Sequence, residues 1–549
     1  MTQDSNHLKV GKKNTQMDFL VVFLFLSLSI SCASSTSVEE SFMQCMTTIV
    51  SSYSESTEKT VFTNSPLYPQ VLESLKQNPR WVNSSSKPLL IMTPSHESEI
   101  QSAILCSKEI GVQIRVVSGG HDYEGLSYLC KTPFIMIDLI NIRLIDINLA
   151  DESAWIQAGA TLGELYYKIS KASKVHGFPS GLCPSVGIGG HISGGGFGTL
   201  FRKHGLAADH VLDAYLIDVN GRILNRKSMG EDVFWAIRGG SASSFGVILA
   251  WKIRLVRVPS IVTVFTIQKT LEEGATKLIH RWQFIADKLH KDLLIRIVAQ
   301  TNGANSITIQ TMFNSLFLGR KKNLITIMNE SFPELGLQEK DCIEMSWIQS
   351  VLYFAGFKKY DPIELLLNRI VAYKSPFKAK SDYVKVPIPE TGLEGIWKML
   401  LKEDTLALLI MEPYGGKMSE ISESEIPFPH RKGNLYNIQY MVKWEVNSIE
   451  ESNKHIKWMK KLYRYMTPYV SKSPRAAYYN YRDLDIGRNK HFNTSYSEAS
   501  VWGIKYFKGN FKRLAQIKTI FDPQNFFRNE QSIPLLNSIT PSHRGGGNK

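Results

Sequence analysis

Past residue 33 the 549-residue chain has no apolar stretch long enough to span a bilayer, and it has no evident internal repeat and no long run of basic residues. The first absence excludes a membrane-spanning helix for that part. The last weighs against a nucleic-acid groove, even though 64 Lys and Arg outnumber 50 Asp and Glu for a net charge of +14. Dispersed positive charge suits acidic surroundings such as a polyanionic matrix. Cysteine is scarce: six in all, of which Cys45, Cys106, Cys130, Cys183 and Cys342 follow residue 33. An odd number in an oxidising compartment leaves at least one thiol unpaired or otherwise used. No cluster of metal-ligand spacing is evident, and no metal is expected.

What is present begins with a leader. Lys9, Lys12 and Lys13 precede an apolar run from Phe19 to Ile30, followed by small residues around Ala33. That layout predicts a signal peptide over 1–33, with Met17 an alternative start, and so a secreted protein. Asn-X-Ser/Thr sequons at Asn83, Asn329 and Asn493 suit surface glycosylation.

The rest is organised around Gly181–Gly198, where eight of eighteen residues are glycine. Such a run means close backbone approach or repeated positive φ, and its bare N–H groups make an anion cradle of the kind that holds a phosphate-bearing cofactor. Cys183 stands at its lip. Upstream, a strand at Pro88–Met92, a helix capped at Ser95 and ended by Gly111, and a strand Val112–Val117 lead into Ser118-Gly119-Gly120-His121. Two glycine loops thus each present one reactive side chain, His121 and Cys183. Strands follow at 134–139 and 154–158, then a helix Thr161–Ser173, a strand from Val211 ending in an Asn220-Gly221 turn, a helix Glu231–Ile237, a third Gly/Ser loop at 238–246 and a strand Val247–Val256.

Residues 259–477 lack glycine cradles. They alternate strands (262–268, 293–299, 306–313) with helices (271–289 and 448–466), the last with a Ser448/Glu451 capping box and a core stripe of Ile456, Met459, Leu462 and Met466. This predicts an antiparallel sheet covered by helices. The C-terminal stretch carries Tyr478-Tyr-Asn-Tyr481-Arg-Asp.

Three long, ordered motifs — Arg115 to Gly125, Cys183 to Gly198 and Tyr478 to Asp485 — resemble the plant berberine-bridge-enzyme-like flavoproteins of the vanillyl-alcohol-oxidase/p-cresol-methylhydroxylase superfamily. The resemblance implies an α+β fold: an FAD-binding domain in two parts (45–258, completed by 478–535), a substrate domain (259–477) and a disordered tail (536–549). It implies bicovalent FAD, with His121 bonded to the 8α-methyl carbon and Cys183 to the 6-position. Cofactor contacts would come from Ser118, Gly119, Gly120, Gly187, Gly189, Gly190, Gly194, Gly195 and Val247. Tyr481 would be the catalytic base, with Tyr414, Gln439, Phe197 and Tyr123 in the substrate pocket and Val186 an oxygen gate. Cys45–Cys106 would be the disulfide.

The chemistry implied is hydride transfer from an alcohol, phenol or amine (alkaloid, monolignol or carbohydrate) to FAD, reoxidised by dioxygen to hydrogen peroxide. The alternatives are a dehydrogenase with another acceptor and a non-catalytic binding protein of the same fold. The expected form is a monomer, without nucleic acid or membrane anchor, in the cell wall or a vacuole. Ile297 stands where cannabinoid-oxidising relatives carry a pocket histidine, Gln439 where the reticuline-cyclising enzyme carries glutamate. Phe197 and Asn437 replace a tyrosine and a lysine common in monolignol-oxidising relatives.

Overall fold

The computed structural model describes residues 37–49, 60–81, 87–301, 307–358, 360–370 and 374–536. The predicted leader, Met17, Asn83 and the tail from 537 lie outside the described residues. No helix among those described is long and apolar enough to cross a membrane.

The first lobe has a four-stranded sheet. Gln113–Val117 and Leu90–Met92 both run parallel to Phe134–Asp138 between them, and Thr60–Phe62 lies antiparallel at the edge. Every residue of Phe134–Asp138 is buried, as a parallel strand covered on both faces requires. Helix Glu97–Ile110 makes the crossover. Its cap is His96, one residue after the predicted Ser95, because the Glu99 carboxylate accepts from the Ser95 N–H (2.7 Å) and the His96 N–H (3.1 Å). Gly111 ends it at φ 78° as expected. The predicted Cys45–Cys106 disulfide pins helix Val38–Ile49 to this crossover, with Cα atoms 5.7 Å apart.

The second lobe is a five-stranded antiparallel sheet in the order Ile145–Asn148, Ser153–Gln157, Val247–Arg254, Val211–Ile217, Ile223–Leu224. Helix Leu162–Ala172 starts where predicted, with the Thr161 hydroxyl accepting from the Glu164 N–H. The helix expected from Glu231 begins earlier, at Arg226, with a break at Gly230, φ 80°.

Residues 262–443 form the predicted antiparallel sheet, now with seven strands: Ile343–Met345, Val262–Thr270, Gln310–Phe317, Leu293–Gln300, Leu406–Pro413, Tyr436–Lys443 and Phe377–Val384. One face packs on helices Ala275–Gln283, Glu390–Leu400 and Ile449–Tyr465. The first of these is shorter than the predicted 271–289. In the last, Met459 and Leu462 are buried and Ile456 only half so. The stripe is continued by His455, held between Glu403 and Glu451 and stacked on Trp444.

The C-terminal segment crosses back to the first two lobes. Lys518 on helix Asn510–Phe521 donates to the Ser244 carbonyl (2.6 Å), and the Ile533 N–H donates to the Ser244 hydroxyl (3.0 Å). Near the crossing, Lys378 and Lys380 of the large sheet meet the buried Asp483, and Lys378 also meets Glu124 of the first lobe. All three parts thus abut one cavity.

Candidate active site

The two glycine loops touch backbone to backbone. A Cβ on Gly119 would stand 2.3 Å from the Gly187 nitrogen, and one on Gly187 would stand 2.0 Å from Ser118 Oγ. The Ser118 hydroxyl itself donates to the Ala158 carbonyl at 2.6 Å. Gly120 turns at φ +70° with the Leu75 carbonyl 2.1 Å from its absent Cβ, so only glycine fits there. That turn delivers His121 to the wall of a cavity of about 840 Å³, at the upper end of ligand-pocket sizes of roughly 300–1,000 Å³.

His121 Nε2 lies 3.0 Å from Ser185 Oγ, and Cys183 Sγ lies 3.4 Å from the same oxygen. Burial, with Lys374 adding to it, lowers the His121 pKa to about 4, so the imidazole is neutral at ordinary pH. Cys183 is exposed, whereas Cys130 and Cys342 are buried free thiols. Ser118, Gly119, Gly120, Val186, Gly187, Gly189, Gly190 and Val247 also line the cavity. Gly190 is the most open, with no atom within 4 Å of where its Cβ would be.

Gly194 and Gly195, expected to touch the cofactor, do not line the cavity. The absent Cβ of Gly194 is 2.0 Å from Asn480 Oδ1, and Gly195, at φ +111°, packs on Phe428. The first of these glycines lets the C-terminal segment close on the second loop. The Gly196 N–H donates to the Tyr478 hydroxyl and the Asn480 amide to the His191 carbonyl, both at 2.9 Å.

Tyr481 lies on the cavity wall, its ring stacked on Tyr123 with centroids 5.7 Å apart and edge-on to Phe197 at 6.1 Å. Gln439 lines the same wall and donates to the Tyr123 hydroxyl at 2.8 Å. Burial pushes the Tyr123 phenol up to about 12 and holds Tyr481 well above its ordinary value. The protein alone therefore keeps Tyr481 protonated, and its hydroxyl takes no hydrogen bond among the described residues.

One expected pocket residue and two compared positions lie off the cavity. Tyr414 is not on the cavity: it is fully buried beyond its strand end, edge-on to Phe201 and Tyr383. Ile297 faces the helix-covered core, since neighbours on a strand point to opposite faces, and Arg296 and Val298 face the cavity instead. Asn437 is buried off the cavity, its amide donating to the Asp382 carbonyl.

The strands unmarked in the sequence bring Glu412 to the wall, opposite Arg296. Arg296 Nε lies 3.1 Å from Glu412 Oε1, both side chains about nine-tenths buried. Burial raises the Glu412 pKa, with Arg296 opposing. Also unforeseen is the Asp122–Arg482 ion pair at 2.7 Å, which joins the residue after His121 to the residue after Tyr481.

Residues 88–226 match the FAD binding domain model, and residues 477–534 the berberine and berberine-like model. The chain is 55% identical to berberine bridge enzyme-like 22 of Arabidopsis thaliana over 527 residues, covering 94% of this chain and 99% of that protein. The chain belongs to the berberine-bridge-enzyme-like family of FAD-linked oxidoreductases. It is also 51% identical to a tetrahydroberberine oxidase of Berberis wilsoniae (93% of this chain, 97% of that one) and to a monolignol oxidoreductase of Arabidopsis thaliana (95% and 98%). Among solved structures it resembles the grass pollen allergen Phl p 4, a glucose dehydrogenase, at 45% identity and TM-score 0.85, covering 91% of this chain and 100% of that one. A Phl p 4 variant with valine for isoleucine is described as a glucose oxidase.

FAD fits the residues of this berberine-bridge-enzyme-like chain. The cavity runs from a glycine cradle that side chains would fill, past an imidazole and a thiol that share one hydroxyl, to an aromatic wall.

Proposed function

We propose that the protein is a secreted oxidase that carries FAD bonded to both His121 and Cys183, and that it oxidises an aromatic alcohol or amine. The observation that carries this is the convergence of His121, Cys183 and Tyr481 on one cavity whose substrate end is aromatic and apolar. When bound, FAD supplies a two-electron acceptor that takes hydride from a substrate carbon and passes the electrons to dioxygen, giving hydrogen peroxide. The chain's part is to hold the substrate and to take its proton. Tyr481 is the group placed to receive a hydroxyl proton, and Tyr123 and Gln439 hold the ring beside it.

The Arg296–Glu412 pair, Gln439 and Lys443 share the wall with the apolar residues Val298, Leu408, Ile410 and Met441. The apolar part of that wall suits a flat aromatic body with a polar head better than a sugar, which needs donors and acceptors on every side. Val186 beside Cys183 favours the oxidase over the dehydrogenase reading, in line with the valine variant of Phl p 4. Dispersed positive charge fits retention on acidic wall polysaccharide.

The test is an anaerobic flavin-bleaching screen with tetrahydroberberine, a monolignol and an oligosaccharide. Bleaching by an aromatic probe and not by the sugar is expected. Bleaching by the sugar alone would overturn the substrate class, and bleaching by none would favour a binding protein.

A further inference from the structure

Ser185 is absorbed neither by the glycine cradle nor by the substrate wall, yet it stands between the two residues expected to bond the cofactor. Its Oγ is 3.0 Å from His121 Nε2 and 3.4 Å from Cys183 Sγ, and Ser185 is 5% exposed. Its hydroxyl has one proton to donate and lone pairs to accept. The His121 side chain lies on the cavity wall.

We propose that Ser185 is the positioning and proton-transfer residue for covalent cofactor attachment, a single hydroxyl that prepares both nucleophiles. The inference rests on the reading of His121 and Cys183 as flavin-bonding residues. In the arrangement that serves attachment, imidazole Nε2–H donates to Ser185 Oγ, and the Ser185 O–H donates to Cys183 Sγ. The first bond fixes the tautomer, so that Nδ1 presents a lone pair to the cavity. The second holds the sulfur beside a group that can take its proton, and the deprotonated sulfur is the one that attacks. The low basicity of His121 keeps the ring neutral, as a nucleophile must be.

Each attachment replaces one flavin C–H by a bond to the protein. With histidine, an Nδ1–C bond forms and a methyl C–H breaks; with cysteine, an S–C bond forms and a ring C–H breaks. The two electrons released in each case reduce the flavin and pass to dioxygen, the oxidant of the proposed reaction, so each bond yields one hydrogen peroxide. The proton lost from Nε2 or from the thiol leaves through Ser185 Oγ toward the exposed face of Cys183. The Ser185 backbone also hydrogen-bonds the His121 ring, and Cys183 Sγ has no protein hydrogen-bond partner besides the Ser185 hydroxyl among the described residues.

The test uses the full chain and measures attachment directly. Wild type, Ser185→Ala, Ser185→Thr and Ser185→Val are produced alike, denatured and digested. Mass spectrometry then gives the fraction of His121 and Cys183 peptides that carry FAD. Wild type and Ser185→Thr are expected to carry both bonds. Ser185→Ala and Ser185→Val are expected to lose at least ten-fold of the cysteinyl bond and to form the histidyl bond more slowly. Threonine and valine have the same shape and differ by the hydroxyl, so this pair decides the matter even if the alanine variant does not fold. Equal attachment in the threonine and valine variants would overturn the proposal. A wild type without either bond would instead overturn the covalent reading on which it rests.

Discussion

Tyr481 carries the clearest conflict at the scale of single residues. A base must lose its proton, yet burial holds this phenol well above its ordinary value, and Glu412 and Tyr123 push the same way. Arg296 alone among the named neighbours opposes them. Because a raised pKa makes the ionised form scarcer at lower pH, kcat/KM for an aromatic alcohol should climb across about pH 6 to 9 without a plateau. Tyr481→Phe should lower flavin reduction about 10²- to 10⁴-fold. A flat profile, or an unchanged rate in the variant, would remove Tyr481 as the base. Val186 makes a second residue-scale claim. Val186→Leu should slow reoxidation by dioxygen while leaving anaerobic reduction intact, measured by stopped flow; equal reoxidation rates would contradict it. His121 and Cys183 stand out in the sequence because each is the reactive side chain of a glycine-rich loop, whereas Val186 is marked only by the family resemblance. Arg296 does not stand out: a one-residue shift in strand register exchanges it with Ile297, and sequence spacing does not say which face looks inward.

Among elements, the contact that matters most joins the first glycine loop to the C-terminal segment. Asp122 follows His121, Arg482 follows Tyr481, and the two side chains meet at 2.7 Å, both largely buried. Arg482 also donates to the Tyr479 hydroxyl, which donates in turn to Ser241 of the third Gly/Ser loop. One guanidinium therefore sets the distance between the proposed flavin bond and the proposed base. Arg482→Met leaves Asp122 without its partner, which for a buried pair costs about 3–5 kcal/mol. Thermal unfolding should show that loss, and bleaching should slow in the protein that remains folded. Full stability would mean the pair contributes little. Helices with clear caps, such as those at Thr161 and Gly111, keep their expected ends because caps are local signals, whereas the helix expected over 271–289 shortens to Ala275–Gln283. Three strands of the large sheet, Phe377–Val384, Leu406–Pro413 and Tyr436–Lys443, escaped notice. Lys378, Lys380, Asp382 and Glu412 read from the sequence as solvent-facing charges, whereas all four are buried on these strands and are neutralised by partners distant in the chain.

The molecule as a whole is a cavity between two cofactor-side lobes and a seven-stranded roof, closed by a segment from the far end of the chain. Lys378 and Lys380 from the roof, Glu124 from the first lobe and Asp483 from that segment meet below the protein surface. Burial disfavours ionisation of Asp483, yet the two lysines outweigh it and hold the carboxyl below its usual range. The change of texture where the glycine loops stop coincides with the entry into the seven-stranded sheet at Val262. The closure could not be read from the sequence, since it depends on pairs that only folding brings together. The proposed function requires above all that this cavity bond its flavin twice. The direct measurement is acid precipitation of the purified protein followed by peptide mapping. A yellow pellet is expected, with FAD on both the His121 and the Cys183 peptides. A colourless pellet with all FAD in the supernatant would contradict it.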